Sequence, residues 1–314
     1  MGVDLRFIWG DKGTKKIFNC DAIWINSKVY RSWWKDRKNE LLERFDCFNS
    51  TVKSVIYFDT TDSSGTLQHE LFPYVSKYCK PYLLKDRSLY LKTFYGGRIF
   101  TDYYHKKFNV NDSVEISDQL KGGIVEKYLS KLEMSWSHVL VQDRKQLFNT
   151  YVLPQKRRSI DVSGRFGVGN KRETVNYQRE MIKAILLELN FATEKINRYR
   201  YYQELRMSKI GVAPFGAGEF NYRDFEIIIR GALLYKPNMV HIETWPNIYS
   251  KNETYVPFKW DLTDFKEKIY STLNNSEKRI EIANNAQEIL REFRESDQVR
   301  EEFCDKVANM ASSF

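Results

Sequence analysis

The alternation of hydrophobic and polar positions predicts a strand, a helix and a second strand in succession between residues 208 and 249. The parts, in order, are an apolar run (210–213), Pro214, a glycine pair (Gly216 and Gly218), a helical pattern (223–232) and a second apolar run (232–235). This order is typical of a β-α-β unit. At the start of the helix in such a unit, free backbone N–H groups and the helix dipole favour a negatively charged ligand.

The predicted helix has two faces. Because residues three and four positions apart share one side of a helix, the apolar side chains separate from the polar ones. The apolar set is Phe225, Ile228, Ile229 and Ala232, and the polar set is Arg223, Glu226 and Arg230. Asn221 followed by Asp224 is typical of a capped helix start. The polar face is either solvated or in contact with a ligand, and the pattern alone leaves both interpretations open.

A second candidate site lies at the end of a strand in the first half of the chain. An apolar run over 52–58 leads directly into a segment rich in Asp, Ser, Thr and Gly that contains Asp59 and Asp62. Polar residues after a buried strand are typical of a site at the carboxyl edge of a parallel sheet. They are also typical of a turn that caps the next helix. Other patterns in this half predict a strand at 21–27, a helix at 31–45 and a helix across 124–140.

A glycine-rich segment follows another predicted strand near the middle of the chain. The strand at 159–162 precedes Gly164, Gly167 and Gly169, and a helical pattern with a basic side comes next. The residues of that side are Arg172, Asn176, Arg179 and Lys183. An arginine beside a glycine loop can clamp a diphosphate with two parallel hydrogen bonds. The alternative is a solvated basic face.

A change in composition marks the boundary between two domains. Three basic residues at 156–158 follow Pro154 and predict a solvated linker. We therefore place the first domain at 1–155 and the second at 156–314. Amphipathic patterns in the second domain predict helices at 197–205 and 276–293, and a final helix through residues 303–307.

The 208–249 segment resembles the C-terminal half of GT-B glycosyltransferases, in particular the group-1-like and CgeB-like branch. The residues that carry the resemblance are Pro214-Phe215-Gly216, Gly218-Glu219, Arg223-Asp224-Phe225-Glu226, Gly231-Ala232-Leu233-Leu234, Lys236-Pro237-Asn238-Met239 and Thr244-Trp245-Pro246. The resemblance implies an α/β fold of two Rossmann-like domains facing a cleft. The short N-terminal domain would lie on the acceptor side, the C-terminal domain would bind a nucleotide sugar, and the last helix would cross back to the first domain.

The resemblance also implies ligands and roles for particular residues. It implies a nucleotide-diphosphate sugar as donor, a glycan or glycolipid as acceptor, and no required cofactor. Expected donor contacts are Arg165, Arg172, Gly216, Gly218, Glu219, Tyr222, Arg223, Glu226 and His241. If the reaction inverts the sugar, a base from the first domain is expected, with Asp62 as first candidate and Asp59 as second. If it retains the configuration, Glu219 or Glu226 would position the donor instead.

Composition and charge narrow the class of protein. A chain of 314 residues with 42% hydrophobic residues is long enough for two folded domains. No two aspartates are separated by one residue, so we expect arginines and lysines, without a metal, to stabilise the leaving diphosphate. The net charge of +9 fits an anionic donor and an acceptor at an anionic membrane, and no nucleic-acid-binding motif is present.

The sequence also predicts a location and leaves other functions open. No apolar segment is long enough to span a bilayer and no signal pattern is present, so we expect a cytoplasmic protein, with contact to the inner membrane face as a further expectation. The functional alternatives are a GT-B-fold sugar-nucleotide epimerase, a non-catalytic sugar- or nucleotide-binding subunit of a polysaccharide assembly, and an RNA-binding protein.

Overall fold

The computed structural model of the chain describes residues 4, 6–10, 18–113, 120–121, 123–137 and 151–311. The strands in these ranges are β1 (Ala22–Asn26), β2 (Ser54–Phe58), β3 (Lys77–Lys80), β4 (Tyr82–Leu84), β5 (Phe94–Tyr95), β6 (Leu120–Lys121), β7 (Leu132–Met134), β8 (Ile160–Ser163), β9 (Ser208–Val212), β10 (Leu233–Pro237), β11 (Ile242–Thr244) and β12 (Val256–Phe258). The α-helices there are α1 (Trp33–Asp36), α2 (Lys38–Thr51), α3 (Ile99–Phe108), α4 (Glu173–Glu188), α5 (Arg198–Met207), α6 (Tyr222–Ile229), α7 (Phe265–Asn274), α8 (Ser276–Glu295) and α9 (Asp297–Ala311).

The first domain is built on a parallel sheet of four strands in the order β1-β2-β3-β7. Its central strand β2 alternates side chains between the two faces, as every strand does. One set, Val55 and Tyr57, packs in a buried cluster with Leu41 and Phe45 of α2. The helix therefore covers this face of the sheet.

The last helix contacts the first domain. Met310 of α9 lies in one buried cluster with Ile56 of β2 and Cys79 of β3. The ring centroids of Phe303 and Trp136 are 4.8 Å apart. These contacts place α9 beside the first sheet, although α8, directly before it, packs on the second domain.

The second domain is built on a parallel sheet of four strands in the order β12-β10-β9-β8. β9, α6 and β10 form the predicted β-α-β unit, and the four apolar residues of the predicted helix face are all buried. A Cβ atom at Gly211 of β9 would lie 2.6 Å from Cγ1 of Ile227, so a glycine there lets α6 pack closely on the sheet. The prediction of this unit is confirmed.

The carboxyl ends of the two sheets face each other. Ser64, in the loop after β2, donates a hydrogen bond to Glu219, in the loop after β9. Lys107 of α3 pairs with Asp261, which follows β12, at 2.6 Å. In addition, β4 of the first domain pairs with β11 of the second in antiparallel register. The predicted fold class is confirmed: an α/β chain with two Rossmann-like domains facing each other, as in the GT-B arrangement.

Two helix predictions in the first domain need correction. The helix predicted at 31–45 is two helices, because Arg37 has φ −137° and ψ 37° between them, and α2 runs on to Thr51. The helix predicted across 124–140 is wrong: Glu126–Lys131 is a 3-10 helix and Leu132–Met134 is β7, paired with β3. The apolar spacing that suggested one helix is shared between these two elements, and residues 138–140 lie outside the described residues.

The basic segment at 156–158 is not simply a solvated linker. Arg158 is only 6% exposed, and its guanidinium donates to the carbonyl oxygens of Leu153, Leu205, Ser208 and Arg230. It thereby satisfies carbonyl groups near the ends of α5 and α6. The domain boundary at residue 155 stays a prediction. Among the described helices, none is both long and apolar enough to cross a membrane.

Candidate functional site

The loop after β9 packs tightly against the loop after β2. A Cβ atom at Gly218 would lie 1.5 Å from the carbonyl oxygen of Asp62, so no larger residue fits there without moving backbone. Glu219 fixes the same contact: its Oε1 accepts from Ser64 Oγ at 2.9 Å and its Oε2 from Ser64 N at 3.1 Å. The Glu219 carboxylate is fully buried. In this arrangement it joins the two domains, which is a different task from the predicted contact with the donor.

The first turn of α6 is capped by the protein's own residues. The Asp224 carboxylate accepts from the backbone N of Asn221 at 3.4 Å, as the sequence predicted, and pairs with the buried Lys236 at 3.1 Å. Burial raises the pKa of Asp224, and the charge of Lys236 opposes that shift. A carboxylate of the protein therefore already occupies this turn, whereas the glycine loop before the helix carries none. The expectation that the helix start receives the ligand stays a prediction.

Two arginines that were not among the expected donor contacts, Arg98 and Arg179, lie on either side of this loop. Their hydrogen-bond acceptors are backbone carbonyl oxygens: Ala217 (2.6 Å) and Gly96 (2.8 Å) for Arg98, and Phe215 (2.6 Å) and Gly167 (2.6 Å) for Arg179. Within the described ranges, neither arginine forms an ion pair with a carboxylate, and Nη2 of each has no acceptor. Each therefore keeps donors for a ligand.

The positive charges of these arginines are incompletely balanced. Burial, and then the charge of Arg223, lower the pKa of Arg179 to about 10. Burial and the charge of Arg172 lower the pKa of Arg98, partly opposed by nearby carboxylates. A guanidinium whose pKa is lowered gains from an anionic partner. The pair is suited to an anion with several oxygens, because arginine donates in a planar fork.

The glycine loop also carries backbone N–H groups that can donate to an anion. The N–H of Gly216 is used by the carbonyl oxygen of Gly218 at 2.8 Å, which closes a tight turn. The N–H groups of Ala217 and Gly218 have no acceptor in the part of the chain that the structure describes. A Cβ atom at Gly216 would lie 3.4 Å from Nη2 of Arg179. The loop can thus bring backbone donors and a guanidinium to one anion.

The two aspartates after β2 have different environments. Asp59 is 1% exposed and accepts from Lys80 Nζ at 2.8 Å, from the Tyr78 hydroxyl at 2.7 Å and from Thr61 N at 2.9 Å. Burial by itself would raise the pKa of Asp59. The charge of Lys80 and these hydrogen bonds lower the pKa by more than burial raises it, so the carboxylate stays ionised. The Asp59 carboxylate is thus buried and engaged by the protein's own donors, and its selection as a base stays a prediction. Asp62 is exposed.

The two arginines predicted to bind the donor are engaged elsewhere. Arg165 pairs with Glu204 at 2.8 Å and with Glu194 at 3.0 Å, and the Glu204 bond raises its pKa. It anchors α5 to the loop after β8. Arg172 pairs with Asp112 of the first domain at 3.2 Å. A Cβ atom at Gly96 would lie 3.3 Å from Arg172 Nη1, so Arg172 is at the junction but already holds a carboxylate.

The predicted contacts on α6 point toward α5. Glu226 accepts from the Tyr202 hydroxyl at 2.9 Å. Arg223 donates to the carbonyl oxygen of Arg165, and its guanidinium lies 5.4 Å from the Tyr201 ring centroid. Tyr222, at the start of the helix, is half-buried against a hydrophobic cluster to which both domains contribute. Of these side chains, Arg223 is close enough to Arg179 to affect its pKa, whereas Glu226 faces Tyr202 of α5.

His241 lies between the two domains. Its ring is 5.0 Å from the Trp260 ring, edge to face, and its carbonyl oxygen accepts from Lys85 of the first domain. Burial lowers the pKa of His241, so the imidazole is neutral at pH 7. Its Nε2 is buried and has no protein partner within the described ranges. This nitrogen can serve a ligand that reaches the junction, so its predicted role stays a prediction.

The sequence contains a weak signal for Arg98 and Arg179, which were not among the expected donor contacts. Arg179 lies seven positions after Arg172, a spacing that puts both on one side of α4. Arg98 follows two glycines, Gly96 and Gly97, whose φ values of 67° and 70° form a tight turn before α3. No group of three His, Cys, Asp or Glu side chains in the described ranges lies close enough together to hold a metal ion.

Comparison with known proteins gives distant structural similarities. No family model matches the chain, and no curated protein matches it. An alpha-glucosyltransferase in complex with UDP and a 13-mer DNA containing a HMU base has a TM-score of 0.44 and 11% identity, over 95% of this chain and 83% of that one. Anabaena Alr3699/HepE in complex with UDP has a TM-score of 0.44 and 9% identity, over 94% and 80%.

In a third similarity, a smaller share of the other protein's chain is matched. A mutant of S. aureus TarM, in complex with fondaparinux, alpha-GlcNAc-glycerol and UDP, has a TM-score of 0.41 and 12% identity, over 85% of this chain and 52% of that one. Similarities of this size do not indicate an activity for this chain.

Proposed function

We propose that the chain is a glycosyltransferase that moves a sugar from a nucleotide-diphosphate sugar to a glycan or glycolipid acceptor, without a metal. The observation that carries this proposal is the junction of the two sheets. There the loop 216–218 lies between Arg98 and Arg179, and both keep hydrogen-bond donors. Ligands of open α/β sheets bind at the carboxyl ends of the strands.

Transfer of a sugar from a nucleotide-diphosphate donor requires stabilisation of the leaving diphosphate. In glycosyl transfer the diphosphate gains negative charge as the bond to the sugar breaks, and fixed positive groups lower the barrier. Arg98 and Arg179 supply these charges from opposite domains. Because one lies in each domain, a bound diphosphate would also hold the domains together.

Asp62 is the proposed general base if the reaction inverts. It is exposed and close enough to Arg98 and Tyr82 to affect their pKa values. Its neighbour in space, Gly218, belongs to the proposed diphosphate loop. An exposed carboxylate next to the donor loop can accept a proton from an acceptor hydroxyl. In a retaining reaction no base is required, and the buried Glu219 keeps the loop in position.

The proposal extends to location. The net charge of +9 favours an anionic membrane on which a glycolipid acceptor would lie, at the cytoplasmic face. Phe7 and Trp9, which are 83% and 86% exposed beside Arg6, have the character of residues that insert at a membrane interface. They support peripheral contact with the lipid surface.

Turnover of nucleotide sugars tests the proposal. Release of UDP, GDP or CMP from a panel of their sugars is measured with and without a mixture of glycan and glycolipid acceptors. We expect acceptor-dependent release with one donor. Interconversion of the free donor without acceptor would identify an epimerase instead, and donor binding without turnover of any sugar would identify a binding subunit.

A further inference from the structure

An arginine cluster lies away from the glycine loop, on α5 and at the end of α6, where Arg198 and Arg206 are exposed and Arg230 is buried. Arg198 and Arg206 are eight residues apart on α5, with Tyr202 midway, so all three share one side of the helix. The Arg198 and Arg230 guanidiniums lie 5.3 Å and 4.9 Å from the centroid of the Tyr202 ring. Tyr199, one turn before Tyr202, is 73% exposed. We name these five residues the arginine–tyrosine face.

Positive charge is concentrated on this face. Burial lowers the pKa of Arg230; Tyr202 and Glu226 oppose that shift, and the charge of Arg206 adds to it. Glu226 is the carboxylate beside the face, and it accepts from the Tyr202 hydroxyl. Arg206 is exposed and has no hydrogen-bond or ion-pair partner within the described ranges. Arg198 and Arg230 flank the Tyr202 ring, and Arg206 is close enough to Arg230 to repel it, so an anion placed among these charges would relieve that repulsion.

The carboxylates that α5 could have used for neutralisation are turned elsewhere. Glu204 faces inward and pairs with Arg165, and Glu194, just before the helix, pairs with the same arginine. Arg198 and Arg206 of α5 are exposed, whereas Glu194 and Glu204 are paired with Arg165. This division differs from the usual solvated helix surface, where opposite charges alternate.

The position of the face relates it to the proposed site. Arg223 begins α6 near the glycine loop and Arg230 ends it, and at about 1.5 Å of rise per residue the two are ~10 Å apart along the helix. Arg223 also contacts Tyr201 of α5. A chain-like ligand lying along α6 could therefore reach the glycine loop and the arginine–tyrosine face together.

We propose that the arginine–tyrosine face binds the phosphate or carboxylate groups of an anionic glycan, a part of the acceptor that does not react. The arginines would form charge-assisted hydrogen bonds to these oxyanions. The exposed Tyr199 ring would stack on a sugar ring between them. That the ligand is a glycan rests on the proposed function, whereas that the ligand is anionic is inferred from the arginines alone.

The test measures binding of the full chain to defined polymers without any donor. Polygalacturonate offers carboxylates, dextran sulfate offers another oxyanion, and neutral dextran offers sugar rings without charge. Arg198→Ala/Arg206→Ala removes two cations of the face. The matched control is Lys278→Ala/Arg300→Ala, which removes two exposed cations of α8 and α9 that pair within their own helices.

We expect at least one anionic polysaccharide to bind in a salt-sensitive manner, and neutral dextran not to bind. The double variant on the face should weaken this binding by ~10-fold or more, since each charge-assisted hydrogen bond is a strong one. The control should stay within about twofold, as expected if only screened long-range charge is lost. Tyr199→Ala should weaken glycan binding and leave the salt dependence unchanged.

Three results would overturn the proposal. An equal loss in both double variants would show that only net charge matters, and no binding to either acidic polysaccharide would remove the site. Tighter binding of a single-stranded oligonucleotide than of the acidic polysaccharides, at equal salt, would assign the face to nucleic acid. Nucleotide affinity is measured in parallel. If the protein binds the glycan but no nucleotide, the proposed transferase function is contradicted, whereas the proposed anion site is not.

Discussion

Gly218 is the position where the structure predicts the sharpest response to a single methyl group. In Gly218→Ala the new Cβ would lie 1.5 Å from the carbonyl oxygen of Asp62 and 2.2 Å from its carbon. Both are backbone atoms, so no side chain can rotate away. One of the two loops must move by ~2 Å to reach an ordinary contact distance.

The cost follows from this displacement. Overpacking of a tight contact destabilises proteins by about 1–3 kcal/mol. If the movement also separates Glu219 from Ser64, the buried carboxylate loses two donors, and an unsatisfied buried acceptor adds ~1–3 kcal/mol. We therefore expect the free energy of unfolding to fall by at least ~1 kcal/mol, a decrease of at least about 1.5 °C in Tm for a chain of 314 residues.

Urea and thermal unfolding measure this change, and Gly169→Ala is the matched control. A Cβ atom at Gly169 would meet nothing within 4 Å, so alanine there should change stability by less than ~1 kcal/mol. Hydrogen exchange should also speed up in segments 61–66 and 216–220 of Gly218→Ala. If both variants were equally stable and equally protected, the close packing of these two loops would be refuted.

Three further predictions concern single side chains. Asp59→Asn breaks the buried pair with Lys80 and should cost ~3–5 kcal/mol at pH 7. Because the pKa of Asp59 in the folded protein lies below 3.8, the ionised carboxylate stabilises the wild type above that pH, and this stabilisation is lost as the pH falls through the folded pKa. The free energy of unfolding measured against pH should therefore fall less steeply at acid pH in the variant. Arg158→Ala should lower the free energy of unfolding in urea by at least ~2 kcal/mol, since several buried carbonyl groups lose their donor; a loss below ~0.5 kcal/mol would mean a solvated arginine after all. Asp62→Asn should reduce kcat ~100-fold or more with unchanged nucleotide affinity if Asp62 is the base, and unaltered turnover would exclude it.

Local signals predicted the central β-α-β unit well. Pro214, the glycine pair and the apolar spacing of α6 all act within a few residues, and the structure follows them. The helix cap at Asn221 and Asp224 is equally local. Where two patterns overlapped, as in the segment that forms β7, the apolar spacing fitted a helix although pairing with β3 determined a strand.

The charge state of an arginine depends on residues distant in sequence, which is why the sequence alone does not show which arginines keep donors for a ligand. Arg165 lies within the glycine-rich segment 164–169, and Arg179 lies on the helix after it. Glu204, 39 residues after Arg165, neutralises Arg165, whereas no carboxylate pairs with Arg179 in the described part of the chain. Arg158 reads as part of a basic run, yet it is buried because carbonyl groups at the ends of α5 and α6 converge on it. Residue type and spacing alone do not contain these partners.

Calorimetric titration with UDP, GDP and CMP tests the central claim that the glycine loop and its two arginines bind a nucleotide. We expect one nucleotide to bind wild-type protein, Arg98→Ala and Arg179→Ala each to weaken it ~10-fold or more, and Lys171→Ala, an exposed cation before α4, to leave it unchanged. Thermal unfolding of each variant checks that it is folded. Equal affinity in folded wild-type, Arg98→Ala and Arg179→Ala proteins, or no binding of any nucleotide to wild type, would contradict the claim.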